Sequence, residues 1–351
     1  MAGIFVVAKK EFLDHVMGKK FMAILAILMI ISLLAMYEGV ESYNKGLERY
    51  KERMAEIEEH PEGMPPSGMP GKPSMLFVFQ MMCILFGILG AILAIAIGFN
   101  LISGEKESGS LKSLLSHPVF RDTIINGKAL GGMGALGFAM LIMTLLSIGI
   151  LMMLGIMPTW DEFVRILVFM GFTLLFMFSF FAIALMCSTI AKNSTRAITY
   201  TLVIFIVISF VMPIAGSIVG MHLAGDMPES PGRARQEINE SGGEGISEEE
   251  QARIQEEFQE WWDEMIGVQE TFSIGDPKSN YEKVSSAVLN PRFQSSFVSF
   301  GSRSIWRGES RAETSILEAL GMVWKNLLVL LVFPVVMFAI AYAKFMRMDI
   351  R

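Results

Sequence analysis

The chain has 351 residues, 52% of them hydrophobic and only 18% charged, with a net charge of −6 and a mean hydropathy of +0.49. The apolar residues come in blocks, which excludes an ordinary soluble globule. The stretches 21–37, 74–99, 129–157, 166–190, 197–221 and 327–343 hold no Asp, Glu, Lys, Arg or His. A bilayer is crossed by about 20 apolar residues whose backbone closes its hydrogen bonds within a helix. The pattern therefore predicts an all-α integral membrane protein with six transmembrane helices.

Residues 1–20 precede the first span. Ile4, Phe5, Val7, Ala8, Phe12 and Val16 fall near one helical face, with Lys9, Lys10, Asp14 and Lys19 elsewhere, which predicts an interfacial amphipathic helix with its lysines toward anionic headgroups. Residues 21–221 then carry the first five spans. Between the first two, the loop 38–73 opens as a charged helical pattern on Leu47, Tyr50, Met54 and Ile57. His60-Pro61 stops that pattern, and a Gly/Pro-rich run returns the chain to the membrane.

A polar loop, 100–128, separates spans two and three. Span three opens with Gly131, Gly132, Gly134 and Gly137, small residues that let helix backbones approach closely. Pro213 and Pro334 interrupt spans five and six, where a kink is expected. Residues 222–326, between those spans, are long enough for a small extracytoplasmic domain. There Ser247 to Glu250 read as a capping box, and Ile254, Phe258, Trp261, Trp262 and Met265 follow at helical spacing. That face is expected to bury its tryptophans against 284–289, a partner subunit or the outer leaflet. The stretch 293–306 alternates weakly, as strands do. Residues 327–351 form span six and a tail.

Orientation follows from lysine and arginine bias. The segments 1–20, 100–128, 191–196 and 344–351 hold 13 Lys/Arg against 6 Asp/Glu, which puts them and both termini in the cytoplasm of a cell-membrane protein. Cys83 and Cys187 lie inside apolar spans and read as packing residues. No Gly-x-x-x-x-Gly-Lys-[Ser/Thr] loop cradles a nucleotide, no His-Glu-x-x-His pair binds zinc and no Gly-x-Ser-x-Gly elbow presents a nucleophile. No catalytic residue, cofactor site or nucleic-acid partner is expected on this chain. The spans carry no ionisable group, whereas ion-coupled carriers keep such groups near mid-membrane.

The densest motif lies in 100–128. Glu105 and Glu107 open a helical pattern where acids favour the macrodipole. Leu111, Leu114 and Leu115 make an apolar stripe, and His117-Pro118 breaks it. Arg121-Asp122 begins a second short turn that closes at Asn126-Gly127, with Lys128 at the membrane edge. The shape expected is a short helix at the surface with leucines offered to a groove.

The run Gly104-Glu105-Lys106-Glu107-Ser108-Gly109-Ser110-Leu111, the step Leu114-Leu115-Ser116-His117-Pro118, the following Arg121 and the Gly127-Lys128 entry to span three resemble the first cytoplasmic loop of ABC-2-type permease subunits of ABC transporters. The six-span pattern and the N-terminal interfacial helix extend that resemblance to most of the chain. It implies an ATP-driven pump, an exporter by family habit, with ATP and Mg on a separate cytoplasmic ATPase subunit. A second permease copy or a paralogue would complete the pathway within membrane lipid. By the same resemblance Gly104, Glu105, Glu107, Gly109, Leu111, Leu114, Leu115, Pro118, Arg121, Gly127 and Lys128 would couple to the ATPase, with Glu105 and Arg121 its polar contacts.

An interior lined by glycine and methionine suits an amphiphilic cargo. One branch of the family is associated with copper delivery, and His60, Met64 and Met69 in the outer loop are soft donors suited to Cu(I). The competing reading is a non-transport membrane sensor or scaffold with a ligand-binding outer domain.

Overall fold

The computed structural model describes residues 2–59, 74–111, 120–228, 230, 248–289 and 315–348. Among them the chain is helical, with no strand, and six helices are long and apolar enough to cross a bilayer. In chain order the described helices are α1 (Ala2–Val16), α2 (Lys19–Glu59), α3 (77–98), α4 (Ser103–Glu107), α5 (Arg121–Met153), α6 (Trp160–Ile190), α7 (194–224), α8 (Glu248–Ser273), α9 (Pro277–Leu289), α10 (Ile316–Met322) and α11 (Trp324–Met346). The spans are α2, α3, α5, α6, α7 and α11. The expectation of strands over 293–306 falls outside the described residues.

The first span and the charged pattern after it form one helix, because nothing in 38–59 breaks the ladder. Its 41 residues extend about 60 Å at 1.5 Å per residue, twice the hydrocarbon thickness. Two spans are interrupted by a π turn, α3 at Phe86–Gly90 and α7 at Val207–Val211. In α7 the cause is local. Pro213 has no N–H for the carbonyl four residues back, and its ring crowds that carbonyl, so the helix widens just before it. α6 begins on a capping box, Thr159 with Glu162, and α7 on Asn193, whose side chain accepts from the Arg196 N–H.

Glycines seat the N-terminal helix. α1 packs lengthwise on the start of α5. A Cβ at Gly127 would lie 2.7 Å from Val7 Cβ, one at Gly131 2.6 Å from Glu11 Cβ, and one at Gly134 3.3 Å from the Phe12 ring. The Phe12 and Phe138 rings also meet edge to face at 5.9 Å. Gly132 leaves its room to Phe181 of α6, and Gly137 faces open space. The face of α1 expected to be apolar is thus divided. Val7, Ala8 and Phe12 dock on α5, while Phe5, with Val6, Leu13 and Met17, stays exposed toward the surroundings.

Residues 248–289, the described helical part of the loop expected to form an outer domain, lie against the spans. α8 lies along the second half of α7, where a Cβ at Gly216 would lie 2.8 Å from Phe272 Cβ and one at Gly220 2.7 Å from the Met265 carbonyl oxygen. Trp261 is buried there and donates from Nε1 to the Gly225 carbonyl at 3.0 Å. The tryptophan face therefore meets α7, because glycines one turn apart open a groove that 284–289 does not offer. α8 leads back along α7, and α9 then enters the bundle between α3, α6 and α11.

Tyr281 of α9 is fully buried. It stacks on Phe176 at 4.6 Å and shares a 3.0 Å hydrogen bond with Thr173. Thr173 is about 25 Å along α6 from the end that carries both chain termini. The loop between spans five and six is therefore re-entrant. It brings Asp276, Lys278 and Glu282 to the level of spans that themselves hold no charge there, so charge enters the bundle from the loop and not from the spans.

Candidate functional site

The loop 100–128 lies at the terminal end of the bundle, and its described residues fasten that end together. α4 is one short turn, five residues long, capped at Ser108 and followed by Gly109. The φ of +74° at Gly109 is left-handed backbone that other residues rarely adopt. The first bolt is at Ser188 of α6, whose hydroxyl accepts from the N–H groups of Ile102 (3.0 Å) and Ser103 (2.9 Å). These are among the helix-start donors that no backbone carbonyl reaches.

Each charged residue of the Glu-Lys-Glu run then reaches a different helix. Glu105 Oε1 lies 2.7 Å from Lys128 Nζ of α5, and the same Nζ lies 2.6 Å from Glu11 Oε1 of α1. The lysine side chain is 3% exposed, and the two carboxylates 11% and 19%. Lys106 Nζ donates to the carbonyls of Thr189 (2.6 Å) and Ala191 (3.0 Å) at the end of α6, where the helix dipole is negative and carbonyls lack partners. Glu107 accepts from the Ser194 N–H at 3.0 Å, at the positive start of α7. Arg121 opens α5 and donates from one guanidinium nitrogen to the carbonyls of Met346 (3.3 Å) and Met348 (2.8 Å), at the end of α11.

Side chains of this one loop thus tie α1, α5, α6, α7 and α11 together. Glu105 and Arg121, marked by their sequence motif for a partner, are engaged within the chain. The second short turn expected to close at Asn126-Gly127 is instead the beginning of α5, which runs unbroken from Arg121 to Met153. Leu111 is 2% exposed, so it packs inward rather than standing free. Leu114, Leu115 and Pro118 lie outside the described residues, as do His60, Met64 and Met69. Gly127 serves the seat of α1, and Gly104 faces Ser194 Oγ, 3.6 Å from where a Cβ would stand.

Lys106, Glu11, Ser188 and Ser194 belong to the site without having been singled out by sequence. Lys106 had a signal, as the cation between two motif acids. The others had none, since their roles depend on helices far apart in the chain.

Beside the Glu11–Lys128–Glu105 cluster lies a recess of about 630 Å³, walled by Lys10, Asp14, His15, Lys19, Lys20 and Asn100 among others. His15 Nε2 is buried and has no hydrogen-bond partner among the described residues. Burial lowers the His15 pKa below its ordinary 6.5 and Lys128 lowers it further, against the opposite pull of Glu11 and Asp14. The imidazole is therefore neutral at neutral pH.

No cluster of three His, Cys, Asp or Glu able to grip a metal ion occurs among the described residues. A family model described as "ABC-2 family transporter protein" matches residues 5–350. No curated protein matches the chain.

Proposed function

Since the chain belongs to the ABC-2 family of transporter proteins, we propose that this permease subunit exports an amphiphile, driven by a separate cytoplasmic ATPase that acts through the loop 100–128. The observation that carries the reading is the wiring of that loop. Glu105, Lys106 and Glu107 of α4 end on α5, α6 and α7, and α5 in turn holds α1 through Lys128 and α11 through Arg121, so a displacement of α4 pulls on three spans directly and on α1 and α11 through α5. Interdigitated packing and paired charges switch between discrete arrangements instead of yielding gradually. A push at one edge then becomes a change in how the spans meet.

In this reading both termini and the loop face the cytoplasm of a plasma-membrane pump, in keeping with the lysine and arginine bias. ATP and Mg belong to the ATPase. A second copy or a paralogue lines the other half of the path, and Leu114, Leu115 and Pro118 face the ATPase groove. The exposed Phe5, Val6, Leu13 and Met17 rest on lipid while the glycine-seated face of α1 follows α5.

The test is co-purification and transport with a candidate ABC ATPase, sought first among the genes adjacent to the one for this chain. A Lys106→Met variant should keep ATPase association yet lose most ATP-driven export, because α4 then loses its charged tie to the end of α6 and keeps only the Ser188 bonds, without touching the docking leucines. A Leu114→Asp/Leu115→Asp variant should lose association itself. Full export by Lys106→Met, or undiminished association in the leucine variant, would remove the loop from the mechanism.

A further inference from the structure

The re-entrant helix α9 and its cap carry four charged residues, Asp276, Lys278, Glu282 and Lys283, and the fold explains two of them, Asp276 as the cap and Lys283 by its 2.7 Å pair with Glu270 of α8. Asp276 is 1% exposed and accepts from Ser209 Oγ, from the N–H groups of Lys278 and Ser279, and from Ser279 Oγ. It caps α9 and fastens it to α7. Lys278 and Glu282, one turn apart, pair at 3.0 Å, and their side chains make no other hydrogen bond or ion pair among the described residues. The Lys278 side chain is 18% exposed and that of Glu282 37%, so the pair keeps unused donors and acceptors and an open side. Ser209, which anchors this end of α9, is about 22 Å along α7 from the terminal end, well inside the span region. A charge pair at such a depth is costly and marks function by default.

Its surroundings are specific. The pair lies between the two π turns of the described spans. Glu282 Oε1 would be 3.5 Å from a Cβ at Gly87, within the α3 turn, and Lys278 Nζ stands 5.6 Å from the centre of the Phe210 ring, within the α7 turn. Turns of this kind recur at functional sites because they leave backbone and side chains out of regular packing. Ile84 and Ile88, close in sequence to Gly87 on α3, and Val207 and Val211, close in sequence to Phe210 on α7, are exposed.

We propose that Lys278 and Glu282 form a transit site for the headgroup of a zwitterionic amphiphile, the lysine meeting its phosphate or carboxylate and the glutamate its ammonium, with the apolar tail lying along α3 and α7. This rests on the export reading above and names its substrate class. Such a headgroup replaces one internal ion pair by two, whereas an anionic or a cationic one satisfies a single member and faces repulsion from the other.

The experiment measures binding of three dioctanoyl probes to the purified full chain in non-ionic detergent, without ATPase: phosphatidylethanolamine, phosphatidylglycerol and the trimethylammonium-propane lipid. The zwitterion should bind roughly tenfold more tightly than either of the others. Lys278→Met should turn the preference toward the cationic probe, and Glu282→Gln toward the anionic one. A purely structural pair would show no such inversion. Equal binding of the three probes by the natural chain overturns the proposal, as does the same order in both variants. So does a change confined to the fraction of dimer, which would make the pair a contact between copies.

Where the single variants fail to fold, the exchanged variant Lys278→Glu/Glu282→Lys keeps the helical ion pair. It should bind the zwitterion severalfold more weakly, because a carboxylate then faces the negative face of Phe210, and unchanged binding overturns the proposal equally. A chain that binds as expected yet shows no ATP-driven export defeats the pump reading alone. One that exports a zwitterion without this preference defeats the transit site alone.

Discussion

Replacing Lys128 by methionine tests whether the terminal end of the bundle is held by charge. Lys128 Nζ lies 2.6 Å from Glu11 Oε1 and 2.7 Å from Glu105 Oε1, so those two oxygens are no more than about 5.3 Å apart. Without the lysine they repel by about 3 kcal/mol at an effective dielectric of about 20. That agrees with the roughly 3–5 kcal/mol lost when one member of a buried ion pair is removed. Glu105, at 19% exposure, recovers part of this by turning to water, so the expected loss is about 3 kcal/mol. The triple variant Lys128→Met/Glu11→Gln/Glu105→Gln removes the repulsion and should regain about half or more of that loss. Unfolding by sodium dodecyl sulfate in mixed micelles, followed by tryptophan fluorescence, gives both differences. A single variant within about 0.5 kcal/mol of the triple would refute the reasoning, since the carboxylates would then not sense one another.

Gly131→Leu puts a side chain where even a Cβ would lie 2.6 Å from Glu11 Cβ and 2.8 Å from the Ala8 carbonyl oxygen. It should displace α1 at a cost of roughly 1–3 kcal/mol, and protease cleavage within 1–20 should accelerate while α5 stays protected. Tyr281→Phe removes the hydroxyl shared with Thr173 in a fully buried position and should lower stability by about 1 kcal/mol, read by thermal unfolding in detergent. The His15 imidazole has a folded pKa below its ordinary 6.5, so its neutral form is favoured on folding. The unfolded chain takes up the proton first as pH falls through 6.5, and stability is lost from there downward to the folded pKa. Melting temperatures at pH 7.5 and 5.5 should therefore differ more in the natural chain than in His15→Gln, and equal differences would exclude His15 as the cause.

The six spans were legible because crossing a bilayer is a property of local composition. A run of about 20 uncharged apolar residues has few other uses, and each such run became a helix. The Glu-Lys-Glu motif and its place between spans two and three were legible for the same reason, as were the glycines of span three. What those features touch was not. Whether Glu105 faces a partner or Lys128 depends on α1 lying along α5, a contact between residues more than a hundred positions apart in the chain. Arg121 depends in the same way on the carbonyls at the end of α11.

The re-entry of α9 was the least legible feature. Its residues are polar, with mean composition like that of any exposed helix, and they enter the bundle because Asp276 finds Ser209 and Tyr281 finds Thr173 and Phe176. Sequence by itself determined how many times the chain can cross the membrane and which loop bears the family's motif, since hydropathy and short motifs are written in consecutive residues. Tertiary structure decided which charges are bolts, which helix dives back between the spans and where one ion pair is left open, since partners for buried polar groups are chosen by packing across the whole chain.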